Sequence, residues 1–438
     1  MPPTRTIDGR LCLGGVDLAS LADQVGTPSY VYDIDGIAAE ARALHEGFEG
    51  ATHLVAYAMK ANTAGAVVRA LAREGCGADV VSAAELLVAL ACDIIPERIV
   101  YSGVAKQDGE IDRAIACGIG AIQIESIEEI VRVEQRASAL GRSVRVSVRV
   151  NPSVELAHAT HAHVATGHDA AKFGVRREDV PAAISLIEGS PTLKLVGMAT
   201  HVGSQFMSLE PYVEGARVLL DLVRGLRDAG RARSLAFVDT GGGFGFHYGE
   251  TVAGGSSTTT CPEPAIPPPR PAEWVRATRA EQRARRLDDL TLYVEPGRAL
   301  VAAHGVLVAR VVQTKVTTAT RWLMIDAGMN DLLRPALYQA RHRIVPLRTL
   351  DAQAESVVWR VVGPVCESSD DFGEQMLPSK PIQAVAILDT GAYGYTMASH
   401  YNGRQLPVEV FVAGGRAVGR TQRASVDSWV DDRVNAGS

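Results

Sequence analysis

The sequence predicts a (β/α)8 barrel followed by a separate C-terminal β domain that also takes in the N-terminal segment. From about residue 50, short apolar runs alternate with longer amphipathic stretches, which is the pattern of parallel βαβ units. Eight such runs occur over roughly 250 residues, the usual size of this barrel. After Leu300 the runs follow one another without long helical stretches, which indicates a β-rich domain. An open doubly wound sheet shows the same alternation, so strand counting leaves it as the alternative.

The barrel-strand candidates are short runs of apolar and β-branched residues. They are Leu54–Ala58, Ala78–Val81, Ile99–Tyr101, Ala121–Ile124, Val144–Val150, Leu195–Thr200, Leu235–Val238 and Leu290–Val294. The stretches between them place apolar residues at helical spacing. The helix candidates are Gly65–Glu74, Ala83–Ala91, Gln107–Cys117, Ser126–Leu140 and Tyr212–Ala229.

We predict three segments from these patterns. Residues 1–35 form an N-terminal segment that packs with the β domain, residues 36–300 form the barrel, and residues 301–438 form the C-terminal β domain. The proline-rich stretch 253–271 predicts an extended surface insertion between the seventh barrel strand and its helix. The strand candidates of the β domain are Val306–Gln313, Arg321–Asp326, Val357–Val362, Ile382–Leu388 and Val408–Val412.

Composition narrows the class of protein. With 44 basic and 50 acidic residues the net charge is −6, so nothing favours nucleic acid or an anionic membrane as a partner. The N-terminus lacks the apolar run of a signal peptide, and no later stretch is long enough to span a bilayer. The six cysteines include no C-x-x-C pair. These features predict a cytoplasmic enzyme with reduced cysteines.

Active sites of such barrels lie at the carboxyl ends of the strands, so functional side chains should follow the strand candidates. A polar or reactive residue follows each of the eight runs. These residues are Lys60, Ser82, Ser102, Glu125, Asn151, His201, Asp239 and Glu295. One instance can arise by chance, but eight in register are unusual for a purely structural scaffold.

Lys60 lies in the motif Tyr57-Ala-Met-Lys-Ala-Asn62, at an otherwise apolar strand end. Partial desolvation there disfavours the ammonium form and frees the amine to attack an aldehyde. The structural alternative is a lysine whose aliphatic stem packs while its ammonium reaches water.

Two motifs follow the seventh and eighth strand candidates. In Asp239-Thr-Gly-Gly-Gly-Phe-Gly245 the glycines let backbone N–H groups approach a phosphate, although a flexible hairpin has the same composition. Glu295-Pro-Gly-Arg298 supplies a carboxylate that can keep a pyridine nitrogen protonated and a guanidinium that can grip a phosphate or carboxylate. A surface turn with an ion pair is the alternative for this second motif.

The histidines indicate one ligand site and no metal site. His201-Val-Gly-Ser-Gln205 offers an imidazole that can pack against a planar ring and a hydroxyl that can bind phosphate, although a lone histidine is more often structural. The histidines at positions 158, 161, 163 and 168 resemble metal ligands at first sight. Their spacing fits neither a helical H-x-x-x-H pair nor a zinc finger, and no cysteine or aspartate cluster accompanies them, so we predict no metal.

The ordered motifs resemble those of the fold type III pyridoxal-phosphate decarboxylases, the alanine-racemase-like barrel group. The motifs that carry the resemblance are Tyr57–Asn62, His201–Gln205, Asp239–Phe244 and Glu295–Arg298. Within that group the chain is most similar to the diaminopimelate decarboxylases, through motifs in its C-terminal half. These are Asp326–Tyr338, Gly363–Asp370 and Gly391–Met397. The resemblance extends from Asp8 to Val430, and its specificity lies in the ordered set of motifs.

The resemblance implies pyridoxal 5′-phosphate as the cofactor and two catalytic residues. Lys60 would carry the cofactor as a Schiff base, and Cys366 would return a proton to the substrate carbon, although a small buried apolar role is the alternative for this cysteine. The implied cofactor-binding residues are Lys60, Asp79, His201, Ser204, Gly243, Glu295, Gly297, Arg298 and Tyr393. The implied substrate-binding residues are Arg298, Arg334, Tyr338, Glu367 and Tyr393.

The implied reaction is decarboxylation of meso-2,6-diaminopimelate to L-lysine and carbon dioxide, the last step of lysine biosynthesis. The implied assembly is a head-to-tail homodimer with active sites at the interface, where Cys366 and Glu367 come from the partner subunit. Two arginines together with Glu367 suit a substrate with a second zwitterionic centre. Relatives that act on ornithine or arginine typically have aspartate after the cysteine, so Glu367 argues against those substrates.

Two alternatives stay open from the sequence. One is a related decarboxylase of another or a carrier-bound amino acid, and the other is a non-catalytic pyridoxal-phosphate carrier that shows cofactor absorbance without turnover. A racemase of the same barrel type is less favoured, because it needs a second acid–base residue on the opposite face. The departures from the family pattern are Ser369, where glycine is usual, and the proline-rich insertion.

Overall fold

The structure, a computed structural model, describes residues 4–154, 171–248, 267–348, 355–379 and 381–435. The histidines at 158, 161, 163 and 168 and the proline-rich stretch up to residue 266 lie outside the described residues. The chain divides into two compact units. One comprises the described parts of Ala38–Phe246 and Ile266–Leu300, and the other comprises those of Met1–Ile37, His247–Ala265 and Val301–Ser438.

Strands and helices alternate through most of the first unit, where the strand Val175–Arg176 follows the strand Val144–Asn151 directly among the described elements, and the second unit is mostly β. The strands are β1 Thr4–Ile7, β2 Arg10–Leu13, β3 Val16–Asp17, β4 Ser29–Asp33, β5 His53–Ala58, β6 Gly77–Val80, β7 Ile99–Tyr101, β8 Ala121–Ile124, β9 Val144–Asn151, β10 Val175–Arg176, β11 Leu193–Ala199, β12 Phe237–Asp239, β13 Thr291–Val294, β14 Gly305–Val316, β15 Arg321–Ile325, β16 Ile344–Pro346, β17 Ser356–Val362, β18 Asp371–Pro378, β19 Ala384–Ile387, β20 Val408–Ala413 and β21 Arg416–Arg420. The α-helices are α1 Leu18–Val25, α2 Ile34–Glu46, α3 Gly65–Arg73, α4 Ala83–Ala91, α5 Asp108–Cys117, α6 Ile127–Ala139, α7 Val180–Gly189, α8 Glu210–Asp228, α9 Pro271–Ala284, α10 Arg298–Val301, α11 Arg334–Tyr338 and α12 Val426–Val434. Short 3₁₀ helices span Met59–Ala61, Pro96–Arg98, Arg177–Asp179, Ala302–His304, Tyr395–Met397 and Tyr401–Gly403.

Parallel strands of the first unit close into a barrel. The ring runs β5–β6–β7–β8–β9–β11–β12–β13, and the closing pair aligns Leu292 of β13 with His53 of β5. The short strand β10 pairs with β9. Closure excludes the open doubly wound sheet, so the predicted barrel is confirmed.

The barrel strands read as apolar runs because both of their faces are covered, by side chains inside the barrel and by helices outside it. In β5, every residue after His53 is buried. The helices begin where the sequence offers caps: Ser82 accepts a hydrogen bond from the N–H of Glu85 at the start of α4, and Ser126 accepts one from Glu129 at the start of α6. The strand ends at one rim are thereby held at fixed positions.

The second unit is a mixed β-sheet domain that includes the N-terminal segment. Strand β4 pairs antiparallel with β14 and parallel with β20. The apolar side chains of β4, β14, β19 and β20 pack with helix α1 in one core. The predicted fold class, with a separate β domain that takes in the N-terminal segment, is therefore confirmed.

One long strand of this domain, β18, was absent from the expected set. It lies at the end of the sheet order β18–β17–β15–β14–β4–β20–β21, and only Phe372 and Leu377 among its residues are buried. An edge strand with two buried positions carries little apolar periodicity, so its sequence does not predict it.

Across the described part of the chain, no helix combines the length and the apolar character needed to cross a membrane.

Candidate active site

Lys60 and Asp79 form an ion pair at the ends of two neighbouring barrel strands. Lys60 lies in the turn directly after β5, and Asp79 lies in β6. Lys60 Nζ is 3.0 Å from Asp79 Oδ2, with the lysine side chain 42% exposed and the aspartate side chain buried. The Lys60 side chain is therefore more exposed than its apolar motif, Tyr57–Asn62, predicts. The buried carboxylate, rather than desolvation, therefore dominates the surroundings of the amine.

His201 follows β11 as a neutral imidazole of defined tautomer. The backbone N–H of Gly242 donates to His201 Nδ1 at 3.1 Å, so the ring proton resides on Nε2. Burial, followed by the positive charges of Arg149 and Lys60, holds the pKa of His201 well below its usual range. His201 Nδ1 lies 3.9 Å from Glu295 Oε2, but this is not an ion pair because Nδ1 carries no proton. A neutral ring can stack on a cationic planar ring without charge repulsion.

Asp239 and Glu295 form a buried pair of carboxyl groups at the ends of β12 and β13. Gln123 of β8 donates from Nε2 to Glu295 Oε1 at 2.9 Å and to Asp239 Oδ2 at 3.3 Å. Burial raises the pKa of Asp239 to about 7. Burial, followed by the charges of Asp239 and Asp79, raises the pKa of Glu295 well above its usual range. The pair therefore favours a bound group that brings positive charge.

The glycine motif after β12 folds back over the barrel rim. The N–H of Gly241 donates to Asp239 Oδ1 at 2.8 Å, which starts the turn. Gly243 has φ +96, and a Cβ there would lie 2.3 Å from the carbonyl oxygen of Gly203, so only glycine fits. This close packing places the motif beside the His201–Gln205 segment, where Ser204 Oγ accepts a hydrogen bond from Arg298 Nη2 at 3.3 Å.

Gly297 brings the last motif against the lysine turn. A Cβ at this position would lie 2.9 Å from the Cβ of Ala61, next to Lys60 in the chain. The barrel thus gathers the predicted cofactor-binding residues of its own unit at one rim. They are Lys60, Asp79, His201, Ser204, Gly243, Glu295, Gly297 and Arg298.

The residues at this rim fit pyridoxal phosphate. An amine is present for an aldehyde, a buried carboxylate for a ring nitrogen, and a glycine loop with a serine and an arginine for a phosphate. Asp79 Oδ1 is buried and has no hydrogen-bond partner among the described residues. A buried acceptor of this kind is a position that a bound group can satisfy.

Two polar residues inside the barrel, Gln123 and Arg149, were not predicted as part of the site. Arg149 forms a buried ion pair with Glu125, one of the predicted strand-end residues, with 2.9 Å between Nη1 and Oε1. Glu125 also accepts hydrogen bonds from the backbone N–H groups of Gly103 and Gly174. The sequence feature that could have identified them is a polar residue within an apolar strand run, because such a side chain must find hydrogen-bond partners inside the barrel.

Ser82, in contrast, is a helix cap and not a reactive group. Its hydroxyl accepts the N–H of Glu85 at 3.2 Å. A serine directly before a helix is typical of an N-cap, so the structural explanation is sufficient for this residue.

Arg334 lies at the start of α11 in the β domain and is buried. Its Nη1 is 2.7 Å from His342 Nε2, and its guanidinium carbon lies 4.2 Å from the ring centroid of Tyr248. Since arginine only donates, His342 Nε2 accepts and His342 Nδ1 donates to the carbonyl oxygen of Leu388. These contacts hold the guanidinium in one orientation. Tyr338 ends the same short helix and is half-buried.

Cys366 and Glu367 lie in an exposed loop between β17 and β18. The N–H of Cys366 donates to Asn402 Oδ1 at 2.9 Å, and the hydroxyl of Tyr401 donates to Glu367 Oε1. Asp370 closes the loop by accepting the N–H of Val365 at 2.6 Å. Within the single chain Cys366 is exposed, so it does not pack as a core residue of its own subunit.

Tyr393 follows β19 in the β domain, half-buried and with φ 55. Positive φ is uncommon for a bulky residue, so the surrounding structure must hold the Tyr393 backbone in this conformation. Tyr393, Tyr338, Arg334, Cys366 and Glu367 all belong to the second unit.

Comparison with known proteins agrees with these observations. Residues 34–302 match the family described as pyridoxal-dependent decarboxylase, pyridoxal binding domain. The diaminopimelate decarboxylase of Zymomonas mobilis is 38% identical over 437 residues, 99% of this chain and 98% of that protein. That of Vibrio cholerae is 37% identical over 98% of this chain and 97% of that protein.

Solved structures show the same relationship. The diaminopimelate decarboxylase of M. jannaschii has a TM-score of 0.89 at 33% identity, covering 99% of this chain and 98% of that one. The Helicobacter pylori enzyme complexed with L-lysine has a TM-score of 0.85 at 33% identity, covering 96% and 99%. With its barrel matched to the pyridoxal-binding domain and nearly its whole length matched to these enzymes, the chain belongs to the pyridoxal-dependent decarboxylases and, within them, to the diaminopimelate decarboxylase family.

Proposed function

We propose that the protein catalyses the pyridoxal 5′-phosphate-dependent decarboxylation of meso-2,6-diaminopimelate to L-lysine and carbon dioxide. It is then a carboxy-lyase acting at the last step of lysine biosynthesis. The observation that carries the proposal is the convergence of Lys60, His201 and Glu295 at one barrel rim. Similarity to diaminopimelate decarboxylases over nearly the whole chain supports the choice of reaction.

The barrel residues divide the work of holding the cofactor. Lys60 provides the amine for covalent attachment, with Asp79 beside it, and His201 supplies a neutral ring for stacking. Glu295 provides the carboxylate for the ring nitrogen. The phosphate is assigned to Ser204, Gly243, Gly297 and Arg298, and Tyr393 completes the set from the β domain.

Bound pyridoxal phosphate supplies an electron sink for the carbanion left when carbon dioxide departs. Glu295 contributes by placing negative charge where a cationic ring nitrogen needs it. Burial, followed by repulsion from Asp239 and Asp79, raises the pKa of Glu295, and that positive charge then offsets these effects. Cys366 is the proposed acid that delivers a proton to the substrate carbon.

Recognition of the distal end of the substrate rests on charges of both signs. Arg298, Arg334 and Tyr338 are assigned to its carboxylate and Glu367 to its ammonium, with Tyr393 beside both substrate and cofactor. The fixed orientation of the Arg334 guanidinium supports this role, since bidentate carboxylate binding needs a defined plane.

We further propose a head-to-tail homodimer in which Cys366 and Glu367 of one subunit serve the active site of its partner. The exposure of both residues in the single chain supports this assembly, because an acid that protonates a carbanion works best when water is excluded. A mixed dimer tests it. Lys60→Ala and Cys366→Ala proteins, each inactive alone, should regain about one quarter of wild-type activity after subunit exchange. No recovery in verified mixed dimers would contradict exchange of Cys366.

A cytoplasmic location completes the proposal. The described cysteines Cys12, Cys76, Cys92, Cys117 and Cys366 are free thiols, which is typical of proteins in reducing compartments. Fractionation of cells that express a tagged chain at native level tests this location.

The function is tested by release of lysine and carbon dioxide from meso-diaminopimelate by cofactor-loaded protein. Lys60→Ala should abolish release, and borohydride reduction of the wild type followed by peptide mass mapping should place the cofactor on Lys60. Lys194→Ala is the matched control, because Lys194 is exposed and should keep full activity. Cofactor on Lys60 without lysine release, but with turnover of another amino acid, would reject the substrate and retain the class of enzyme.

A further inference from the structure

Gln123 is a buried amide inside the barrel for which the roles above give no use. It lies in β8 between Ile122 and Ile124, and only 2% of its surface is exposed. Its partners lie on the far side of the ring: Asp239 ends β12 and Glu295 follows β13. In the ring of eight strands, β13 is four strands away from β8 in either direction. The 2.9 Å contact with Glu295 Oε1 and the 3.3 Å contact with Asp239 Oδ2 therefore cross the barrel interior.

An amide is well suited to this position. A buried polar group is costly unless it is hydrogen-bonded, and the NH2 group of glutamine supplies two donors from a neutral side chain. It can thus engage two carboxyl groups without adding a charge to the barrel interior. A lysine or arginine at this position would compete with a cationic ligand for Glu295.

Charge alone does not determine how Glu295 is oriented. Negative groups that face it are Asp239 and Asp79, and positive groups that face it are Lys60 and Arg149. The neutral His201 ring lies 3.9 Å from Oε2. These groups come from several strand ends around the rim, so their attractions and repulsions act in different directions. Two directional contacts act on the Glu295 carboxyl group: a side-chain hydrogen bond with Asp239 and the 2.9 Å hydrogen bond that Gln123 donates to Oε1 from across the barrel.

We propose that Gln123 is a positioning residue that fixes the Glu295 carboxylate for its contact with the cofactor's ring nitrogen. This inference rests on the proposed function, because it assumes that Glu295 meets the ring. Gln123 itself touches neither the ring nor the substrate. Its effect is to hold Oε1, which leaves Oε2 to the ligand.

Loss of this donor has two expected consequences. The ionised form of Glu295 loses a stabilising hydrogen bond. Protonation of Glu295, which removes the carboxylate partner of the ring nitrogen, should therefore occur about one pH unit higher. The carboxylate also becomes free to rotate, so the dissociation constant of the cofactor should increase about tenfold.

The experiment titrates the apoprotein with pyridoxal phosphate and follows the absorbance of the bound cofactor, first at fixed pH and then across pH. Gln123→Met removes the donor and keeps the length of the side chain. Gln123→Leu also removes the donor and keeps an apolar side chain of similar volume, and it serves if the methionine variant does not fold. The matched control is Gln282→Met, because Gln282 is also a fully buried amide, donating to the carbonyls of Leu287 and Leu290 in the same unit.

The inference is supported if a Gln123 variant weakens cofactor binding and shifts the pH dependence while Gln282→Met lowers only the melting temperature. It is overturned if the Gln123 variants behave like Gln282→Met. Glu295→Gln separates this result from the proposed function. If Glu295→Gln changes binding and absorbance and Gln123→Met does not, only the positioning role fails. If neither substitution changes them, the assignment of Glu295 to the ring fails as well, and with it the inference.

Discussion

Glu295 shows how the surroundings of one residue define its chemistry. Its sequence neighbourhood indicates a carboxylate at a strand end, but burial and two nearby acids give it a raised pKa. A raised pKa means that the ionised carboxylate is held at a cost in the protein alone. Binding of a positively charged ring nitrogen removes that cost, so the residue is prepared for its ligand.

Glu295→Gln should therefore lower decarboxylase activity by about 10²-fold or more, because the negative charge beside the ring nitrogen is lost. The apoprotein should be at least as stable as the wild type, since a buried carboxylate in a repulsive site is removed. Lysine release and the melting temperature measure the two effects.

Glu129→Gln is the contrasting control for that experiment. Glu129 is also buried, in helix α6, but its Oε1 is 3.0 Å from Lys106 Nζ. Its replacement should lower the melting temperature, because the buried ammonium of Lys106 loses its charge partner. Wild-type activity in Glu295→Gln, or equal stability loss in both variants, would contradict this account.

At the scale of elements, the turn Tyr401–Gly403 organises the Cys366–Glu367 loop. Asn402 accepts the N–H of Cys366 and Tyr401 donates to Glu367. Asn402 has φ 56, a conformation that asparagine, aspartate and glycine tolerate best. Trp429 of α12 also supports the turn, because its ring packs close to Gly403: a Cβ at that position would lie 3.3 Å from the ring.

Two substitutions at Asn402 separate the hydrogen bond from backbone strain. Asn402→Asp keeps both the acceptor and the tolerance for positive φ, so kcat should stay close to wild type. Asn402→Gly keeps only the tolerance, so kcat should fall about tenfold with cofactor binding unchanged. Steady-state kinetics and a cofactor titration measure these effects, and equal kcat values for the two variants would show that the hydrogen bond has no role.

For the whole molecule, stability in acid depends on histidines that stay neutral in the fold. The carbonyl of Ala51 accepts from His53 Nδ1, so His53 Nε2 accepts from His45 Nδ1 at 2.8 Å. Burial, followed by the electrostatic interaction with His53, lowers the pKa of His45 to about 4. Burial also lowers the pKa of His53 and holds that of His201 well below the usual range.

The sign of the pH effect follows from this depressed pKa. Below about pH 6.5 the unfolded chain takes up a proton at His45, whereas the folded chain does so only near pH 4, so the free energy of unfolding should fall between those values. His45→Gln should make that fall shallower, as measured by urea unfolding at several pH values. His400→Gln, at an exposed position, should leave the slope unchanged. A His45→Gln slope equal to that of the wild type would contradict the role of this residue.

Local patterns alone predicted much of the barrel. Strands β7 and β8 and helix α4 have the predicted bounds, and most other barrel strands and helices differ by one or two residues. This is because apolar runs and helical periodicity depend on local composition. The edge strand β18 escaped the same reasoning, since its pattern depends on which neighbour it pairs with.

By itself the sequence determined the alternation of eight parallel strands with helices, the presence of a β domain, and the motifs at the strand ends that carry Lys60, His201, Asp239 and Glu295. Tertiary structure alone decided that the sheet closes, that Ser82 is a cap, and that Gln123 reaches across the barrel to two carboxyl groups. It also decided that the pKa values of His201 and Glu295 shift in opposite directions. The physical reason is that periodicity and turn chemistry are local, whereas closure, burial and electrostatic interaction depend on residues far apart in the chain.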